Sequence, residues 1–189
     1  MHLKDTYQDF EYLNNLPGKK ILLKGNHDYW WNSVKSMKEF LVQNDFNNIE
    51  FLHNNSYEYE GHIIAGTRGW SNIGTNNASL DEKVLKREVL RLELSIQDGI
   101  KNNVGADDHV CHDNQYKDII VCMHYPPFIR ENEKISTNFI DIMKKYNVKR
   151  CLYGHLHGVS HKDVIEGNID GIEFKCLSCD YTDFKLIEI

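Results

Sequence analysis

The sequence predicts an α/β protein, because compact apolar runs alternate with segments of helical periodicity and each run stops at a polar loop. The runs have the length of buried strands rather than of helices. Three of them end in histidine-bearing loops and cover residues 20–24, 118–123 and 150–153. Ligands of α/β sheets bind beyond the carboxyl ends of the strands, so these loops are the expected place for a functional site.

Helices are predicted where apolar residues recur at spacings of three or four. The segments with this pattern cover residues 3–16, 34–46, 80–100 and 137–146. Pro17-Gly18 ends the first helix. The third carries one apolar stripe, and its charges are expected to form a solvated face.

Antiparallel strands are predicted in two places. Residues 50–66 read as two short strands around Glu60-Gly61, and the tail alternates apolar and polar residues over 172–176 and 184–189. Residues 102–117 are polar and have no period, so they are expected to form a mobile loop. No linker divides the chain, which predicts a single domain over residues 1–189.

Composition excludes several classes of protein. The 189 residues carry 22 basic and 28 acidic side chains, and the net charge of −6 argues against a nucleic-acid-coating role. No apolar run could span a membrane and no signal segment is present, which predicts a cytoplasmic protein. The five cysteines are odd in number and spread through the chain, so they form no disulfide framework and are expected to be reduced. The lone pair Cys176 and Cys179 lacks the second pair that a zinc ribbon needs.

Five polar residues lie in the loops directly after buried strands: Asn26, His27, His124, His155 and His157. If these strands are parallel neighbours in one sheet, their loops lie together at one edge of that sheet. Imidazole nitrogens and a carboxamide oxygen suit Mn²⁺, Fe²⁺ or Zn²⁺. A single histidine is more often structural, but three separate strand-end placements together predict a metal site.

Three ordered motifs resemble the signature of the calcineurin-like metallophosphoesterase family. They are Gly25-Asn26-His27-Asp28, Met123-His124-Tyr125-Pro126 and Gly154-His155-Leu156-His157. The resemblance implies a four-layer αββα sandwich with two divalent metal ions (Mn, Fe or Zn) at the carboxyl ends of its central strands. It also implies metal-dependent hydrolysis of phosphate mono- or diesters.

The same resemblance implies roles for the metal-binding residues. Asn26, His124 and His155 would bind one metal ion, and His157 would bind the other. Two cations side by side would neutralise a phosphoryl group and stabilise both the entering and the leaving oxygen.

His27 would be the acid or the phosphate-stabilising residue, oriented by Asp28. An imidazole can carry a proton near neutral pH and pass it to a leaving alkoxide. The alternative for Asp28 is that it caps the following segment. Arg68, which follows a predicted strand, would bind a phosphate oxygen of the substrate, with a surface salt bridge as the alternative.

The chain departs from the family pattern at its beginning. The Asp-x-His and Gly-Asp motifs expected upstream of Gly25 are absent. We therefore expect the C-terminal part of a longer phosphoesterase, lacking the first two strands of the sandwich and holding one metal ion at most. Asp107-Asp108-His109 has the residue types of the Asp-x-His motif. It follows no apolar strand, however, and is expected to be a solvated linker.

The predicted partner is a phosphate-ester substrate. No membrane partner is expected, and nucleic acid is expected to bind only as a substrate. Strand edges left unpaired would favour self-association. The alternative function is a non-catalytic metal- or partner-binding protein that retains the phosphoesterase scaffold. Metal-dependent turnover of a phosphate ester distinguishes the two.

Overall fold

A computed structural model describes residues 2–70, 78–103, 118–131, 134–136 and 138–189. The Asp107-Asp108-His109 segment and the predicted loop beyond residue 103 lie outside the described residues. The described helices are α1 (Tyr7–Asn15), α2 (Val34–Gln43), α3 (Ala78–Asn103) and α4 (Asn138–Lys145). The described strands are β1 (Lys20–Leu23), β2 (Ile49–Leu52), β3 (Ser56–Tyr59), β4 (His62–Thr67), β5 (Ile119–Met123), β6 (Ile129–Glu131), β7 (Lys134–Ser136), β8 (Arg150–Tyr153), β9 (Gly167–Ile169) and β10 (Ile172–Cys176).

The strands form two main sheets, which confirms the predicted α/β class. β1 and β2 pair in parallel as a small sheet. The large sheet has the order β3-β4-β5-β8-β10-β9, and its four inner strands run parallel to one another. A short hairpin of β6 and β7 stands apart from both sheets. The inner strands therefore end at one common edge.

Each main sheet is stabilised by its own helices and its own core. Phe10 of α1 and Met37 of α2 pack with Phe51 of β2 beneath the small sheet. Leu92 of α3 and Phe139 of α4 pack on the parallel strands of the large sheet. The apolar stripes predicted for the four helices are thus the faces that bury these cores.

The region 49–67 contains three strands where two were predicted. The hairpin at Glu60-Gly61 is confirmed, and both residues have the positive φ angles, 51° and 84°, of a tight hairpin turn. The additional strand is β2, which pairs with β1 rather than with the hairpin. Its four residues are too few for sequence alternation to separate it from the strand that follows.

The predicted antiparallel tail is partly wrong. β10 alternates buried and exposed residues as predicted, but its neighbour β8 is parallel and only β9 is antiparallel. Residues 184–189 form no strand, and Phe184 and Leu186 are exposed. Alternation alone does not make a strand where no described strand edge pairs with it.

The predicted solvated face of α3 is wrong at Glu88, which is fully buried. Its carboxylate accepts hydrogen bonds from Thr67 Oγ1 and from Arg91 Nη1, both at 2.7 Å. A buried carboxylate is tolerated when it is paired and hydrogen-bonded in this way. Helical periodicity cannot show such a partner, because Thr67 comes from another element.

The described cysteines, Cys122, Cys151, Cys176 and Cys179, are free thiols. β1 pairs only with β2 among the described residues, so one of its edges has no strand neighbour there. No helix among the described residues is long and apolar enough to cross a membrane.

The close contact between β4 and β5 gives a test of this packing. A β-carbon at Gly66 would collide with the carbonyl oxygen of Cys122 and come within 2.8 Å of Leu52. We expect Gly66→Ala to lower the free energy of unfolding by about 3 kcal/mol, measured by urea denaturation. Gly154→Ala is the matched control, because a β-carbon there meets no atom closer than 3.9 Å. Equal unfolding midpoints for the two variants would contradict this packing.

Candidate metal centre

Parallel pairing of β5 with β8 brings two of the predicted loops together. Met123 and Tyr153, the last residues of the two strands, are paired in register. The next residues continue the pairing, because the Gly154 amide donates a hydrogen bond of 3.2 Å to the carbonyl of His124. His124 and His155 therefore leave the sheet side by side.

Three side-chain atoms of the predicted site converge at this edge. Asn26 Oδ1 lies 2.6 Å from His124 Nε2, and His155 Nδ1 lies 3.2 Å from the same nitrogen. All three side chains are half-buried. One amide oxygen and two imidazole nitrogens facing a common point are a donor set that suits Mn, Fe or Zn, so the residues fit the metal that the sequence predicts.

The loop that carries His155 is fixed in an unusual conformation. His155 has a φ of 74°, in the left-handed region, which costs a non-glycine residue about 1–3 kcal/mol. The Tyr125 ring lies against both imidazoles, with its centroid 4.3 Å from that of His155 and 5.0 Å from that of His124. This packing helps to hold the strained loop with Nδ1 directed toward His124.

The Asn26 loop approaches His124 closely because Gly25 lacks a side chain. A β-carbon at Gly25 would lie 3.1 Å from His124 Cε1 and 3.2 Å from the Asp28 carboxylate. That carboxylate accepts a hydrogen bond of 2.6 Å from the Gly25 amide, which closes the loop. Asp28 thus contacts the residue before Asn26, and no hydrogen bond joins it to His27 among the described residues. The exposed His27 ring instead lies edge-on to Tyr29, with centroids 6.0 Å apart.

His157 is exposed and contacts Asp180 rather than the three converging atoms. Its Nδ1 lies 2.7 Å from Asp180 Oδ1, and the Gly158 amide donates to Oδ2 at 2.9 Å. The Gly158 hydrogen bond and the two neighbouring imidazoles, His157 and His161, hold the pKa of Asp180 well below its usual range. Ligand atoms of His157, Cys179 and Asp180 lie within 4.8 Å of one another.

Sequence reasoning missed Asp180, although the rule that found the other residues also applies to it. Asp180 follows β10, which is parallel to β8, so it reaches the same edge of the sheet as His157. Interpreting the tail as antiparallel concealed this placement.

Burial favours the neutral form of the two central histidines. It lowers the pKa of His124 to about 4, with a smaller effect from the charge of His155. Burial also lowers the pKa of His155, assisted by His157 and His27. Metal ions bind the neutral imidazole, so these ligands need not lose a proton at neutral pH.

Arg68 lies beside the converging atoms. It follows β4, and its carbonyl accepts a hydrogen bond of 2.9 Å from the Tyr125 amide. Its guanidinium stacks 5.4 Å from the Trp70 ring centre. Because Tyr125 directly follows His124, this backbone hydrogen bond places Arg68 next to the candidate centre.

The lowered pKa of His124 can be measured directly in metal-free protein. We expect NMR of its imidazole to give a midpoint at about pH 4. Because the folded pKa lies below the ordinary value of about 6.5, the folded state binds fewer protons than the unfolded state between these values. The stability of the metal-free protein should therefore rise with pH across this window. A midpoint above pH 6 would contradict the buried arrangement.

One solved structure is similar to this chain, with 16% sequence identity and a TM-score of 0.50. The similarity covers 91% of this chain and 62% of the other, so this chain spans less than two thirds of that protein. At this identity the likeness concerns the fold alone. No curated protein sequence matches the chain.

A family model gives the functional classification. The model described as calcineurin-like phosphoesterase matches residues 3–159, which is most of the chain. The matched region contains Asn26, His27, His124, His155 and His157. The chain therefore belongs to the calcineurin-like phosphoesterase family, whose members hydrolyse phosphate esters with the help of divalent metal ions.

Proposed function

We propose that this protein hydrolyses phosphate esters, with a divalent metal ion held by Asn26, His124 and His155. The observation that carries the proposal is the convergence of Asn26 Oδ1, His124 Nε2 and His155 Nδ1. A bound Mn, Fe or Zn ion supplies positive charge beside the phosphoryl oxygens and acidifies water. We assign a second ion to His157, which goes beyond the single ion expected from the sequence, because Asp180 and Cys179 lie beside this imidazole.

His27 is the proposed general acid. It lies on the same loop as Asn26 but is exposed, so a substrate at the metal edge can reach its imidazole. An imidazole donates a proton to a leaving alkoxide effectively near neutral pH. Asp28 acts on this loop through its hydrogen bond to the Gly25 amide, which positions Asn26 and His27 together.

Arg68 is the proposed phosphate-binding residue. It is half-buried, and its guanidinium lies on the Trp70 ring, which limits the orientations that it can adopt. A guanidinium donates two parallel hydrogen bonds to phosphate oxygens. Arg68 would orient the phosphoryl group relative to His27.

Metal-dependent turnover tests the proposal. We expect this chain to hydrolyse 4-nitrophenyl phosphate with Mn²⁺, and His124→Ala to lose both bound metal and turnover. His27→Ala should keep the metal and lower kcat by about 10²–10⁴-fold, because it loses only proton transfer. His62→Ala is the control, since His62 begins β4 at the far end of that strand.

Two outcomes would contradict the catalytic proposal. Full activity in His27→Ala would exclude His27 as the acid. Metal binding to wild type without turnover would favour the alternative, a non-catalytic protein that retains the phosphoesterase scaffold.

The contact of Asp180 with His157 makes a separate prediction. A carboxylate that binds one imidazole nitrogen fixes the ring and raises the basicity of the other nitrogen. We expect Asp180→Asn to weaken binding of the second Mn²⁺ by about 10–100-fold in calorimetric titration. Asp183→Asn is the control, because Asp183 is exposed and its carboxylate pairs with Lys185 at 3.5 Å, away from His157. Unchanged affinity in Asp180→Asn would show that this contact does not position a ligand.

A further inference from the structure

A polar recess of about 480 Å³ opens beside the candidate metal centre. It lies at the carboxyl ends of β1, β2 and β4, where Lys24, His53 and Arg68 follow their strands. Helix α3 forms another wall through Arg87, Glu88 and Arg91. The recess therefore shares the edge on which the converging ligands lie, but it is formed by other side chains.

The recess concentrates positive charge in an acidic protein. Four cationic side chains and one carboxylate line it, whereas the whole chain has a net charge of −6. Pockets lined by one sign of charge attract ligands of the opposite sign. The chemistry of the lining therefore favours an anion.

The single carboxylate orients a cation and does not neutralise the recess. Glu88 is fully buried and binds Arg91 Nη1 at 2.7 Å and Thr67 Oγ1 at 2.7 Å. Arg87 Nε lies farther from it, at 3.7 Å. Arg91 is held by this contact while its side chain stays 31% exposed toward solvent.

Lys24 has no such compensation. Its ammonium lies 6.0 Å from the Trp31 ring centre and has no hydrogen bond or ion pair among the described residues. The positive charges of Arg68 and Arg91 repel the Lys24 ammonium, and the negative charge of Asp28 attracts it. Gathering cations in a partly buried space costs free energy, which a bound anion would offset.

His53 adds a neutral hydrogen-bonding group to the lining. Burial, and then the charge of Arg91, lower its pKa, so its imidazole is uncharged at neutral pH. The remaining walls include the apolar side chains of Leu23, Trp31 and Leu52. Ligand pockets commonly combine apolar walls with a few converging polar groups in this way.

We propose that this recess is a second anion-binding subsite, which takes a phosphate group of the substrate other than the one hydrolysed at the metal centre. The assignment of that phosphate to a substrate rests on the proposed function. Lys24 and Arg91 bind the oxygens of this second phosphate, Arg68 stays with the phosphate at the metal centre, and the apolar walls contact the organic part of the molecule. The preferred substrates are thus phosphate esters that carry a further phosphate.

Binding of inorganic phosphate to metal-free protein tests the subsite without requiring activity. Trp31 lines the recess and is one of three tryptophans, so its indole N–H signal can be assigned by comparison with Trp31→Phe. We expect phosphate to shift this signal saturably, and potassium chloride at equal ionic strength to leave it in place. Lys24→Gln should weaken the affinity at least fivefold.

A double variant protects the test against misfolding. Because Arg91 compensates the buried Glu88, Arg91→Gln is combined with Glu88→Gln, which removes both charges together. This variant should also weaken phosphate binding at least fivefold, whereas Lys144→Gln on α4, paired with Asp170, should not. No shift of the Trp31 signal, or equal affinity in wild type and both recess variants, would overturn the subsite.

A second arm distinguishes a substrate phosphate from free phosphate. In zinc-loaded protein we expect propane-1,3-diyl bisphosphate to bind at least tenfold more tightly than propyl phosphate, and Lys24→Gln to remove that advantage. Equal affinities would overturn the substrate assignment. Phosphate binding in the recess of a protein without turnover would instead reject the catalytic proposal and leave the anion site standing.

Discussion

The parallel pairing of β5 with β8 is the constraint on which the candidate site depends. It places His124 and Gly154 opposite one another, and the positive φ of His155 then turns the second imidazole back toward the first. Asn26 reaches the same point because Gly25 leaves room beside His124. The site is therefore built by backbone geometry.

Much of this arrangement follows from the sequence, because a polar loop after a buried strand has a defined place in a parallel sheet. That rule placed Asn26, His124 and His155 together. It missed Asp180, since alternation in the tail did not reveal that β10 is parallel to β8. Helical periodicity missed the burial of Glu88, because the partners of that carboxylate depend on how α3 packs across β4. Local sequence patterns predict individual helices and strands, whereas contacts between distant helices and strands depend on how the whole chain folds.

Electrostatics divides this edge of the molecule into two parts. Around His124 and His155, burial keeps the imidazoles neutral and suited to a cation. In the adjacent recess, Lys24, Arg68 and Arg91 gather positive charge suited to an anion. Arg68 follows β4 between the two parts and acts on both. This arrangement matches a molecule that presents one phosphate to the metal centre and a second charged group to the recess.

The proposed hydrolysis depends on a metal ion bound by Asn26, His124 and His155. Crystals of the protein grown with zinc, with anomalous diffraction data collected at the zinc absorption edge, test it most directly. We expect an anomalous peak between Asn26 Oδ1, His124 Nε2 and His155 Nδ1, the three atoms that converge at this edge. Zinc bound only at His157, Cys179 and Asp180, or no ordered zinc at all, would contradict it.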